Sequence, residues 1–67
     1  MDDKKTVAAT LKFGSSRLHD KKCDLTDVGW QIGALSLAAS LGLVSELDYK
    51  YYSQQARACY EKLKRSN

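Results

Sequence analysis

Residues 28–45 read VGWQIGALSLAASLGLVS, eighteen positions without a charge in a chain of 67. A membrane, a core or a partner would each explain such a run. A transmembrane helix needs about 20 predominantly apolar residues. This stretch is shorter, carries Gln31, Ser36, Ser40 and Ser45, and includes three glycines. Acids flank it on both sides, Asp24 and Asp27 before, Glu46 and Asp48 after. Membrane spans favour an asymmetry of basic flanks instead. The run therefore reads as a core helix. At 100° per residue, Val28, Ile32, Leu35 and Ala39 share one apolar face, and Trp30, Ala34, Leu37 and Leu41 share a second, nearly opposite. Gly29, Gly33, Ser36 and Ser40 form a row of small residues between them, the kind of row that lets another helix come close. A helix that is apolar nearly all round has to be covered nearly all round.

Two short partner helices from the rest of the chain can supply part of that cover. Asp24 can cap the middle helix with Asp27 in the manner of a capping box, Thr26 is the alternative cap, and Gly42 is placed to end the helix. Ser45 opens the next helix, with Asp48 three residues on and Val44 able to staple against Tyr49. In this last segment Tyr49, Tyr52, Ala56, Cys59 and Leu63 follow 3-4 spacing, while Leu47, Tyr51 and Ala58 make a weaker stripe on another side. Toward the N-terminus, Val7, Leu11, Gly14 and Leu18 fall on one helical face, with acids at the start and Lys21 and Lys22 after the end. Val7, Ala9, Leu11 and Phe13 also alternate as in a strand, but no partner strand is apparent, and a lone strand leaves its backbone unpaired. Gly14 to Ser16 is the expected place for an irregularity. No proline interrupts any segment. The expectation is a single all-α domain over 1–67, a small three-helix fold with helices about 3–20, 25–41 and 46–64, the last two forming a helical hairpin.

Chemistry-bearing residues are sparse. His19 is the only histidine and has no positioned nucleophile in view. Cys23 and Cys59 are too few for a zinc site without two further ligands. No phosphate-binding glycine loop is present. No enzyme activity, cofactor, metal or small-molecule substrate is expected. One disulfide is arithmetically possible. The opening MDDKKTVAATLKF has no apolar secretory core, so the expectation is a cytoplasmic protein with reduced thiols. Cys59 then serves as a small apolar residue on its seam, and Cys23 sits beside Lys21 and Lys22 in a loop.

Two helices with two apolar stripes each exceed what one small hairpin can bury. Self-association resolves the excess, with Trp30, Leu37, Leu41, Leu47 and Tyr51 as the expected contact set. Tyr49, Tyr51, Tyr52 and Tyr60 crowd the last segment, and tyrosine favours interfaces. The expected function is a protein-binding module, homodimeric or docking on another protein, of the accessory regulator or inhibitor kind found in bacteria and their phages. A nucleic-acid-binding regulator is the alternative. The chain is mildly basic, with a net charge of +3. Lys50, Arg57 and Lys64 recur every seven residues and, with Lys62 and Arg65, offer a basic helix face for phosphates. Leu37-Ala38, Gly42-Leu43 and a helix opening at Ser45 resemble the middle of a helix-turn-helix, which implies that the last segment would be a recognition helix. Relative to that motif, Val44 lengthens the turn by one residue, and Glu46 and Asp48 put acids where base-reading side chains sit.

Overall fold

The computed structural model describes residues 2–65. Among them are three helices and no strand: α1 (Asp3–Leu18), α2 (Leu25–Ser40) and α3 (Glu46–Arg65). Each start has a side chain that satisfies orphan amides. The Asp2 carboxylate accepts the Lys4 N–H at 3.0 Å. The Asp24 carboxylate accepts from Thr26 and Asp27, and the Asp27 carboxylate accepts the Asp24 N–H at 3.0 Å, closing the expected capping box. The Ser45 hydroxyl accepts the Asp48 N–H at 3.1 Å.

The helix ends are set by turn chemistry. α1 stops at Leu18 rather than Asp20. There the His19 and Asp20 amides bond the carbonyls of Ser16 and Arg17, three residues back, and the Asp20 carboxylate takes the Lys22 N–H. The backbone that was to continue the helix is thus drawn into a turn. α2 ends in a Schellman arrangement: Leu43 N–H reaches the Ala38 carbonyl at 2.9 Å and Gly42 N–H reaches that of Ala39 at 3.1 Å. This closure needs Gly42 at φ +69°, a conformation that L side chains rarely adopt. Through Gly14 to Ser16 the helix is regular, and the expected irregularity is absent.

The three helices pack against one another around two small clusters. Leu11, Leu35 and Ala38 are joined by Val7, Ala34, Val44 and Tyr52. Leu18, Val28 and Ala56 are joined by Cys59 and Leu63. The α1 face expected from Val7, Leu11, Gly14 and Leu18 is the buried face, as is most of the α3 seam; Tyr49 of that seam lies exposed.

On α2 the apolar face of Val28, Ile32, Leu35 and Ala39 is only partly the inner one. The buried residues are Val28, Gln31, Leu35 and Ala38, while Ile32 and Ala39 face outward. The helix is turned by roughly 50°, half of one residue step. Gln31 lies on this turned face. Its side chain is fully buried and its amide donates to the Leu11 carbonyl at 3.0 Å. Gly14 makes room for it, since a Cβ there would overlap the Gln31 side chain and lie 2.6 Å from the Trp30 ring. The assembly is elongated, 41 × 19 × 15 Å, with a radius of gyration of 11.9 Å. A compact domain of this length would have about 10.9 Å.

Candidate functional site: the outward face of the second helix

The turn of α2 decides what is left outside. With Gln31 inward, Trp30, Leu37 and Leu41 lie along the opposite side, at 47%, 63% and 62% exposure. Phe13 of α1 is exposed too and sets its ring edge-on to Trp30, centroids 6.3 Å apart at 77°. Beyond these rings a groove of about 140 Å³ runs between α1 and α2, lined by Val7, Thr10, Leu11, Ala34, Leu37, Ala38 and Leu41. Thr10 carries the one polar side chain in that wall. An aromatic ridge and an apolar groove therefore sit next to each other on one face. The row beside them is open: a Cβ added at Gly29 or Gly33 meets nothing within 4 Å. Exposed Ile32 borders that row on its far side.

All five expected contact residues are on the surface, in two groups. Trp30, Leu37 and Leu41 form the α2 stripe just described. Leu47 and Tyr51 line a separate shallow hollow on α3, with Asp48, Lys50 and Gln54. The Tyr51 ring meets Tyr52 edge-on at 5.2 Å. Burial, with Asp48 and Tyr51 nearby, pushes the Tyr52 hydroxyl above the usual tyrosine range.

The basic residues of the alternative are exposed along α3. Lys50 borders the Leu47 hollow, Arg57 stands one turn-pair further, and Lys64 lies 6.0 Å over the Tyr60 ring. Lys62 and Arg65 flank another shallow hollow with Ala58 and Glu61.

Two glutamines hold the helices together and were not legible as such. Gln31 is one. Gln55 is the other: its carbonyl oxygen accepts the Ser15 hydroxyl at 2.8 Å, and its amide sits 2.7 Å from His19 Nε2. Ser15 and His19 thus both end on Gln55, bridging α1 to α3. An ion pair of 3.5 Å from Arg17 to Asp27 ties α1 to α2. Glutamine carries no periodic signal of burial, so only its partners reveal the role.

Among the described residues no group of three or more His, Cys, Asp or Glu could hold a metal ion. No described helix is long and apolar enough to cross a membrane. Comparison with protein-family profiles, with curated proteins and with solved structures finds no match.

Proposed function

We propose that this protein is a small non-enzymatic binding module, an accessory regulator or inhibitor of the cytoplasm, that pairs with a second copy of itself through the outward face of α2. The observation that carries the reading is the exposure of Trp30, Leu37 and Leu41 on one stripe, continuous with Phe13. Contiguous apolar surface of this kind marks interaction sites on soluble domains.

The occupant proposed is a second copy because the face complements itself. A two-fold axis pairs each patch with its own image. Trp30 and Leu37 are seven residues apart, about 10 Å along the helix. Antiparallel α2 helices would set the Trp30 ridge of one copy into the Leu37–Leu41 groove of the other. The open row at Gly29 and Gly33 permits backbones to approach. Residues 28–45 carry no charge, so two copies meet there without like-charge repulsion.

Sedimentation equilibrium tests this. The wild type is expected to dimerise at micromolar concentration. Trp30→Ala is expected to weaken the dimer by about 30-fold or more, the effect of losing an aromatic anchor worth roughly 2 kcal/mol. Its helical circular dichroism should persist, because Trp30 is half-exposed in the single chain. A wild type that stays monomeric at several hundred micromolar would overturn the proposal.

The second reading, a nucleic-acid regulator, draws on Lys50, Arg57 and Lys64 standing exposed along α3. It requires affinity for DNA or RNA that falls steeply with salt. Glu46 and Asp48 in the first turn of α3 work against it.

A further inference from the structure

The loop between α1 and α2 carries Cys23 against α3. Its Sγ lies 3.6 Å from Sγ of Cys59, 36 positions along the chain. Both thiols are free and half-buried. Both also point at one acceptor, the carbonyl of Leu18 at the end of α1, at 3.6 and 3.8 Å. The two sulfurs thus stand in van der Waals contact, and a bridge requires them to close to about 2.05 Å. Cys59 is fixed on a packed helix seam, whereas Cys23 sits in the turn over residues 19–24, which can supply the movement. Lys21 and Lys22 adjoin Cys23 and favour an anionic reagent there.

We propose that Cys23 and Cys59 are a redox-modification site that closes to an internal disulfide by exchange with a small anionic disulfide of the glutathione class. The Cys23 thiol gives its proton to water, and its thiolate attacks one sulfur of the reagent, forming a mixed disulfide and releasing one small thiolate. Cys59 then loses its proton and attacks the Cys23 sulfur, expelling the second small thiolate. The two released thiolates take up the two protons. Two protein thiols are oxidised, and one small disulfide is reduced to two thiols. Cys59 is suited to the second step. In the reduced protein burial, with Cys23 beside it, pushes the Cys59 thiol up, so it reacts poorly with reagents in bulk water, whereas the Cys23 sulfur 3.6 Å away is within its reach. The bridge would tie the α1–α2 turn to α3 in a domain whose core is small.

The test equilibrates the native protein with a series of glutathione redox buffers, with a parallel series in concentrated urea. Quenched samples are alkylated, weighed and peptide-mapped. The native protein should lose both thiols together with a mass two hydrogens lighter. The native state should favour the bridge by roughly several hundred-fold over the urea-unfolded chain, the reciprocal of the chain-entropy stabilisation for a loop of this length. The bridged form should melt roughly 15–30 °C higher. Cys59→Ala should stop at the mixed disulfide on Cys23. Glutathione adducts or covalent dimers as the native end product, or a bridge no more favoured in native buffer than in urea, would overturn the proposal.

Discussion

Gly14 and Gln31 form one unit. The glycine supplies the space, and the glutamine fills it and bonds the α1 backbone. The arrangement is imperfect, because the buried Gln31 carbonyl oxygen has no hydrogen-bond partner among the described residues. An unmet buried acceptor costs about 1–3 kcal/mol, whereas an apolar group of like shape removes that penalty. Gln31→Met is therefore expected to melt at or above the wild type, and Gln31→Ala below it. Gly14→Ala should destabilise by about 1–3 kcal/mol, since the new methyl meets both Gln31 and the Trp30 ring. In the double variant Gly14→Ala with Gln31→Ala, much of that loss should return. Chemical denaturation of all four proteins measures the coupling, and additive losses would show that the two residues act separately. At this scale the sequence was half legible. Gly14 fell on the correct face by period, yet a glutamine in an apolar run carries no mark of being the most buried side chain in the helix.

At the scale of the element, the helices were legible because their caps are chemical. Asp24, Asp27, Ser45 and Gly42 act where their side chains, or the lack of one, dictate. Rotation was not legible. α2 has apolar residues on too many sides for hydrophobicity alone to choose an inner face, and the face that is buried includes Gln31, which no count of apolar residues would place inside. The same surplus separates the fates of its glycines. Gly42→Ala should destabilise by about 1–2 kcal/mol through its left-handed backbone. Gly33→Ala should stabilise the isolated domain by about 0.8–1 kcal/mol, because alanine is the better helix former and the added methyl meets open space. Thermal melts at low protein concentration distinguish the two, and a loss of stability in Gly33→Ala would mean that the row is covered within the single chain. α3 adds a pH dependence. Cys59 and Tyr52 both have folded-state values above their ordinary ones, so the neutral forms are favoured by folding. Their contribution is fully present below the unfolded values of about 8.5 and 10 and is lost as pH rises through the folded ones. The urea midpoint should fall above about pH 8.5, and less so in Cys59→Ala. A midpoint flat to pH 10.5 would contradict this.

Across the whole molecule the central fact is how little is buried. Among the described residues only six apolar side chains are buried: Leu11, Leu18, Val28, Leu35, Ala38 and Ala56, two of them alanines. A single core of this size supplies roughly 3–5 kcal/mol, and small domains add a second subunit or a covalent staple. The proposed pairing through the exposed α2 stripe and the proposed bridge between Cys23 and Cys59 would each answer that need. The excess of apolar faces was legible in the sequence, because counting stripes needs no coordinates. The division of Trp30, Leu37 and Leu41 from Leu47 and Tyr51 was not, since it depends on where α1 lies across the hairpin. Trp30 is the only tryptophan, so its fluorescence reports the α2 face alone. The direct measurement is its emission from nanomolar to near-millimolar protein, in the wild type and in Gly33→Arg, which places a charge in the open row. If α2 docks on a second copy, wild-type emission shifts to shorter wavelength with concentration as the indole leaves water, and Gly33→Arg emission stays constant. Emission unchanged over the whole range in the wild type would contradict the account.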